Sequence, residues 1–345
     1  MPIVQKNPSI AIVGATGIVG TTFLSLFEER SFKYSNLHLV ASSRSVGRCL
    51  TQGGRDYEVC DLADFDFTGV DIAFFAAGTP ISREWVGKAV EQGAIVIDNT
   101  NAFRMNPDTP LVVPQVNRHL LVERPKSGII ANPNCSTIPL VRLLQPIEES
   151  YHVKQVIVST YQSASGRGVT GIEELKNGCL QIIKTPLEPP KAERFPLPLA
   201  FNLIPSIDVL LDNHFTLEEQ KMLQESQKIL NRPDLKVSAT CVRVPVINCH
   251  SEAVYFECDR DLDRNHIVEL LRHAPEVTVY DDEATQGYPT PRTIDNPDYI
   301  HVGRIRIDPN NPKAGWFWLV SDNLRIGAAL NAIQIAEEMI QRQVI

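Results

Sequence analysis

Several segments of the 345-residue sequence carry side chains able to do covalent chemistry. In Ala131-Asn132-Pro133-Asn134-Cys135-Ser136-Thr137 a cysteine stands between a short apolar run and a helical pattern. Ser136 or Thr137 can cap that helix, and Pro139 is tolerated in its first turn. A cysteine at a helix N-terminus is favoured as thiolate by the macrodipole and the free N–H groups, which makes it a nucleophile at neutral pH. Cysteine is also among the most often buried and inert residues, and that reading is kept for Cys179 and Cys258. Cys135 follows a strand of an α/β pattern, at the end where ligands collect, so the nucleophile reading is preferred. A thiolate beside a nicotinamide would interconvert an aldehyde and an activated acyl group through a thioester, with an acid/base partner. His250, in Val246-Ile247-Asn248-Cys249-His250-Ser251-Glu252, is the candidate. Spacing alone leaves open whether it reaches Cys135 or is a structural histidine.

A nicotinamide site is suggested by Gly14-Ala15-Thr16-Gly17-Ile18-Val19-Gly20, which follows the first apolar run and opens a helix. Glycine permits the tight turn and lets the pyrophosphate approach the helix N–H groups. The spacing is GxxGxxG, a variant of the usual fingerprint, and a Gly-rich turn is the plain alternative. After the second apolar run, where an NAD enzyme places an acid for the ribose hydroxyl, the chain reads Ser42-Ser43-Arg44-Ser45. Hydroxyls and a guanidinium suit a 2′-phosphate, so NADP(H) is the preferred cofactor, against a solvated loop that happens to hold an arginine.

The elements that must position these groups come in two kinds. Ile10–Val13, Leu37–Ala41, Asp71–Phe75, Ile95–Asp98 and Ile129–Ala131 read as buried strands, with helices over Val19–Glu29 and Ser82–Gln92. That alternation predicts a Rossmann-like parallel sheet covered on both faces. From Val153 the runs are longer and alternate: Val153–Gln162, Lys236–Arg243, Glu252–Cys258 and Ile300–Asp308. They predict an α+β domain with a mixed, largely antiparallel sheet. The proline-dense stretch 185–205 reads as an extended surface connection. Asn323–Arg342 reads as an amphipathic helix that can pack back on the first domain. The expected division is thus 1–132, completed by 323–345, and 133–322.

Composition sets bounds. With 43% hydrophobic and 21% charged residues the chain is expected to fold as two globular domains. The net charge of −8, with dispersed Lys and Arg, argues against a nucleic-acid partner but not against a small anion. No apolar run approaches the roughly 20 residues of a membrane span, and Ile10–Val13 is too short for a signal-peptide core. The seven cysteines are dispersed and never in CxxC spacing, so neither a metal site nor a disulfide framework is expected, and a cytoplasmic setting follows.

Taken together the segments resemble the aspartate-β-semialdehyde dehydrogenase family nearly end to end. The matching stretches are GATGIVG at 14–20, SSRSVGR at 42–48, IDNTNAFRM at 97–105, LVVPQVN at 111–117 and ANPNCST at 131–137. They continue with VSTYQSASG at 158–166, AFNLIPSID at 200–208, VSATCVRVPV at 237–246, CHSE at 249–252, VGRIRID at 302–308 and SDNLRIGAALNAIQIAEE at 321–338. The resemblance implies that Cys135 is the nucleophile, His250 the acid/base catalyst and Gln162 a substrate-orienting group. It implies Arg243 on the substrate α-carboxylate as a bidentate fork, Glu218 on its ammonium, and Arg104, Asn134 and Lys221 on phosphate. Taken singly, Glu218 and Lys221 read as an exposed helix face and Arg104 as a surface cation. For the cofactor it implies Gly14, Thr16, Gly17, Ile18 and Val19 in the loop, Ser42 and Arg44 near the 2′-phosphate, Ser165 and Gly166 near the nicotinamide, and Asn323 on its carboxamide. The implied reaction is NADPH-dependent reduction of β-aspartyl phosphate to aspartate semialdehyde, in lysine, threonine, methionine and diaminopimelate biosynthesis, by a homodimer.

Two departures are visible. Arg167 stands in Ser165-Gly166-Arg167-Gly168 where the family commonly has a small residue, and Asn248-Cys249 replaces a common Gly before His250. Among rivals, N-acetyl-glutamyl-phosphate reductase places its cysteine in a Pro-Gly-Cys-Tyr context, and glyceraldehyde-3-phosphate dehydrogenase has a GxGxxG fingerprint and Thr-Thr after the cysteine. A cofactor-binding sensor without catalysis would typically have lost the cysteine or the histidine.

Overall fold

A computed structural model describes residues 7–281 and 287–345. It divides into two compact units, Met1–Asn134 with Ala328–Ile345, and Cys135–Gly327.

The first unit is built on a seven-stranded sheet. Its strands are β1 (Ser9–Val13), β2 (Asn36–Ala41), β3 (Cys49–Gln52), β4 (Arg55–Asp61), β5 (Ile72–Phe75), β6 (Ile95–Asp98) and β7 (Ile129–Ala131). The order is β3-β4-β2-β1-β5-β6-β7, and every pair is parallel except the β3–β4 hairpin. The five expected strands are therefore present. The hairpin is additional: its sequence is polar and exposed, so the apolar-run criterion passes over it. β1, β5 and β6 are buried at every position, as a sheet covered on both faces demands. The helices are α1 (Ile18–Glu29), α2 (Thr79–Glu91) and the short α3 (Pro114–Asn117). The chain passes from β1 to β2 on one side and returns from β4 to β5 on the other side of β1, which makes the carboxyl end of β1 a topological switch point.

The second unit carries a six-stranded sheet of β8 (Val153–Gln162), β9 (Lys236–Arg243), β10 (His250–Cys258), β11 (Val277–Tyr280), β12 (Ile300–Asp308) and β13 (Asn311–Ser321). The order is β11-β12-β13-β10-β8-β9. Three pairs are antiparallel, while β8–β9 and β11–β12 are parallel. The helices α4 (Thr137–Tyr151), α6 (Leu217–Ile229) and α7 (Arg264–His273) pack on this sheet and one another, and α5 (Gly168–Lys184) follows β8. From Val156 onward the buried positions of β8 are Val156, Val158, Thr160 and Gln162, with an exposed Ile157 between them, the period-2 pattern of a sheet covered on one face. The 185–205 connection is not wholly superficial. Phe195, Leu199, Ala200 and Ile204 are buried with Ala164 and Leu175 in a small core.

The C-terminal element differs from the continuous helix expected over 323–342. Asn323 lies in a loop where Asp322 accepts the N–H groups of Leu324 and Arg325, a π-turn covers Arg325–Ala329, and α8 runs Leu330–Gln341. Within the first unit α8 is tied down by Asn331, whose amide donates to the Val112 carbonyl at 2.9 Å and to Asn132 Oδ1 at 2.6 Å. Arg30, which caps the carboxyl end of α1, pairs with Glu337.

Candidate functional site

Cofactor-loop residues lie at the switch point of the first unit. Gly14 has φ of +92°, and a Cβ there would stand 2.8 Å from the Ala76 backbone, so only glycine makes this turn. A Cβ on Gly20 would fall 2.3 Å from the Gly14 carbonyl oxygen, which explains the third glycine as close packing of helix on turn. Gly17 is the N-cap of α1, and Ile18 and Val19 form its first turn. Thr16 Oγ1 meets Ser45 Oγ at 3.2 Å and ties this loop to the segment after β2, where Ser42 and Arg44 are exposed. No carboxylate follows β2 in that segment. Ser45 is a member of the group that sequence reasoning left unassigned.

Arg104 and Asn134 are buried in the same unit. Arg104 is not the surface cation that its type suggests: its Nε donates to the Asn132 carbonyl at 2.9 Å and Nη2 to the Asn99 carbonyl at 3.0 Å. It thereby holds the backbone that leads into Cys135.

In the second unit, strand register does the assembling. β8 and β9 run parallel with Gln162 opposite Arg243, their last residues. Antiparallel β10 pairs Ser251 with Tyr161 on β8 and His250 with Ser321 on β13, so His250, its first residue, arrives beside Gln162. Arg243, Gln162 and His250 thus form one transverse row on the covered face, and all three are buried. The next row inward is Cys241, Thr160, Glu252 and Leu319, followed by Ala239, Val158, Val254 and Phe317. Polarity falls off from the strand ends toward an apolar interior.

Cys135 is half-buried just before α4. Ser136 takes the N-cap position, but its backbone is already helical and its side chain makes no capping bond, so the capping expected of Ser136 or Thr137 is not made. A Cβ on Gly327 would lie 2.6 Å from Cys135 Cβ, and the π-turn therefore closes directly on the cysteine. Nothing in the sequence apart from the glycine itself signals that contact.

His250 is fully buried. Its Nδ1 accepts the Ser163 N–H at 3.1 Å and lies 3.1 Å from Ser163 Oγ. Nε2 has no partner among the described residues. Burial pushes its pKa down to about 3, the Arg243 charge adds to that push, and Glu218 opposes it. The ring is therefore neutral at physiological pH. Arg243 donates from Nη1 to the Ser163 carbonyl at 2.7 Å and lies over the Phe195 ring at 5.8 Å. Burial lowers its pKa, while Glu218 and Cys135 oppose that shift. A Cβ on Gly166 would come within 2.8 Å of Arg243 Nη1 and 3.6 Å of His250 Nε2, so the Ser163–Arg167 loop lies close over both.

Gln162 Nε2 donates to Glu218 at 3.1 Å, and Lys221 Nζ pairs with Glu218 at 3.1 Å and Asp208 at 2.6 Å. These α6 side chains are not the exposed helix face that their sequence alone suggests. Ser165 and Asn323 are joined: Asn323 Nδ2 donates to Ser165 Oγ at 2.9 Å, while Asn323 Oδ1 lies 3.0 Å from the hydroxyl oxygens of both Ser163 and Ser165. Arg167 is exposed at the start of α5. Among the described residues no cluster of metal-ligating side chains occurs, and no helix is long and apolar enough to cross a membrane.

The matched family models are the semialdehyde dehydrogenase NAD binding domain over residues 9–124 and the semialdehyde dehydrogenase dimerisation domain over residues 144–326. The aspartate-semialdehyde dehydrogenase of Aquifex aeolicus is 47% identical over 337 residues, 97% of this chain and 99% of that protein. A crystal structure of aspartate semialdehyde dehydrogenase II from Vibrio cholerae, complexed with ASA, superposes with a TM-score of 0.94 at 40% identity, covering 97% and 99% of the two chains. Another, of the Candida albicans enzyme with NADP, gives 0.74 at 26% identity over 99% and 100%.

Glu252 makes a testable demand. Both carboxyl oxygens are buried without a partner among the described residues, and burial, with Glu218 adding, raises its pKa well above 4.5. The folded protein keeps a proton that the unfolded chain releases above that value, so stability falls as pH rises, by up to about 1.4 kcal/mol per pH unit. The His250 effect runs the other way but ends above pH 6.5, its unfolded value. Glu252→Gln is expected to gain Tm over the native protein increasingly as pH rises from 4.5 toward neutrality. A difference that stays flat over that range contradicts the buried neutral acid.

Proposed function

This chain belongs to the aspartate-semialdehyde dehydrogenase family, and we propose that it reduces β-aspartyl phosphate to aspartate semialdehyde through a thioester on Cys135. It is an oxidoreductase acting on an aldehyde group, with an NAD binding domain. The observation that carries the mechanism is the buried row of Arg243, Gln162 and His250, with Cys135 close enough to act on the Arg243 charge.

The Cys135 thiolate adds to the acyl carbon, the carbon–oxygen bond to phosphate breaks, and the phosphate leaves, taking one proton from solvent. NADPH, when bound, supplies the hydride that reduces the thioester carbon. The carbon–sulfur bond then breaks, releasing the aldehyde and restoring the thiolate. His250 serves at the reacting carbonyl oxygen, where a buried donor stabilises developing charge. Arg243 offers its fork to the α-carboxylate, Gln162 orients the substrate, and Glu218 takes the ammonium. That carboxylate speaks against the acetylated substrate of the rival reductase. Arg104, Asn134 and Lys221 are assigned to phosphate. Lys221 is neutralised by Asp208 and Glu218 where it stands, so phosphate capture requires it to turn from Asp208.

NADP(H) fits the first unit: the glycine turn admits a pyrophosphate, and Ser42 and Arg44 follow β2 where an NAD enzyme carries an acid. Gly14, Thr16, Gly17, Ile18 and Val19 would hold the dinucleotide, with Ser165, Gly166 and Asn323 assigned to the nicotinamide. The setting we infer is cytoplasmic biosynthesis of lysine, threonine and methionine.

We assign dimerisation to the open face of the second sheet. There Tyr161 lies tilted against Trp318 with ring centroids 5.4 Å apart, Tyr255 meets Trp316 edge-on at 5.1 Å, and Arg306 covers Trp316 at 5.3 Å, beside an exposed Ile157. Aromatic and Arg side chains of this kind are typical of interface cores.

The reaction is tested in reverse. NADP reduction by aspartate semialdehyde is expected to require phosphate and to be lost in Cys135→Ala. Phosphate-independent reduction, or activity retained by that variant, would defeat the mechanism. Sedimentation equilibrium is expected to give twice the 38.5 kDa chain mass, falling toward the monomer in Trp318→Asp. A monomeric native protein would remove the dimer assignment.

A further inference from the structure

Ser163 has no assigned part in the reaction, yet three of its groups face the site. Its N–H donates to His250 Nδ1 at 3.1 Å, its hydroxyl lies 3.1 Å from the same nitrogen, and its carbonyl accepts from Arg243 at 2.7 Å. The hydroxyl oxygen is itself fixed, 2.9 Å from Ser165 Oγ and 3.0 Å from Asn323 Oδ1. Asn323 in turn receives the Cys249 N–H at 3.1 Å, and Ser165 Oγ lies 3.0 Å from Asn248 Oδ1.

The hydrogen on a backbone amide cannot be moved elsewhere, so a nitrogen that accepts it must present a lone pair. Nδ1 of His250 therefore carries no proton, and the neutral ring holds its one proton on Nε2. Because Nδ1 is bare, the only hydrogen bond possible between it and the Ser163 hydroxyl has the hydroxyl donating. Nε2 is the atom with no partner among the described residues, and it lies on the Gly166 side of the ring with Arg243 Nη1.

We propose that Ser163 is a positioning residue that fixes His250 as its Nε2–H tautomer, so that His250 meets the reacting carbonyl oxygen as a neutral hydrogen-bond donor. The inference deepens the reaction above and rests on His250 acting there. A neutral donor stabilises the oxyanion without becoming an imidazolium, which two donors on Nδ1 would oppose. The charged groups around the ring are Arg243 on β9, which disfavours the imidazolium, and Glu218 on α6, which favours it. Ser165 and Asn323, assigned above to the nicotinamide, also act here: with the Ser163 hydrogen on Nδ1, the Ser165 hydroxyl donates to Ser163 Oγ and Asn323 Nδ2 donates to Ser165.

The test is nitrogen NMR of the full chain labelled at histidine, in the native protein, Ser163→Ala and Ser163→Thr, read beside steady-state kinetics. The native protein is expected to show a pyridine-type, hydrogen-bonded Nδ1 and a pyrrole-type Nε2 for His250 across neutral pH. Ser163→Ala, which leaves the backbone N–H on Nδ1 and removes the hydroxyl, should move the Nδ1 signal part of the way toward an unbonded nitrogen and lower kcat about three- to tenfold with little change in KM. Ser163→Thr, which keeps the hydroxyl, should restore both. A pyrrole-type Nδ1 in the native protein overturns the proposal, as does a Ser163→Ala protein with native Nδ1 signal and kcat. The nitrogen signals need no turnover, so failure of the reaction itself would appear separately, as a native protein without phosphate-dependent activity.

Discussion

Parallel pairing of β8 with β9 obliges two strands to end at the same edge of the sheet, and antiparallel β10 begins where they end. Gln162, Arg243 and His250 are the terminal residues at that edge, so their grouping is a matter of register before it is one of side-chain contacts. A slip of one residue in either pairing would send a member of the row to the opposite face. The apolar rows behind it, through Val158, Val254 and Phe317, hold the register by burying one face only. The site is the polar end of the same alternation that builds the core.

That arrangement places charge where it is expensive to keep. Arg243, Glu218, His250 and Glu252 are all buried, and burial is the first cause of the shifts at Arg243, His250 and Glu252. Glu218 is supported by Gln162 and Lys221. His250 and Glu252 keep atoms without partners among the described residues, and such atoms each cost about 1–3 kcal/mol. Groups held against stability in this way mark a site organised around something other than folding. In the first unit the corresponding constraint is steric: Gly14 and Gly20 bring turn and helix too close for any side chain.

Much of the scaffold was legible because burial leaves a period in the sequence. The continuous apolar runs of β1, β5 and β6 and the alternation of β8 and β9 could be read directly. The β3–β4 hairpin could not, since only Gln52 and Val59 of it are buried and they leave no apolar run. Nor could the parallel sense of β8–β9, because alternation is the same for either direction. Cys135 and His250 stood out by residue type, but their proximity to a shared structure depends on pairings over long sequence distance. Ser163 meets His250 and Arg243 through its backbone as well as its hydroxyl, and Gly327 meets Cys135 through an absent side chain, and neither leaves a compositional signal. Arg104, Glu218 and Lys221 read as surface charges, and only tertiary packing buries or pairs them.

The central claim is that Cys135 carries the acyl group at this strand edge. It is tested most directly by mixing the enzyme with aspartate semialdehyde and NADP without phosphate, quenching in acid, and mapping the protein by mass spectrometry. The account predicts one aspartyl adduct, on Cys135, that phosphate discharges before the quench. An adduct on another residue, or none in a preparation that reduces NADP once phosphate is added, would contradict it.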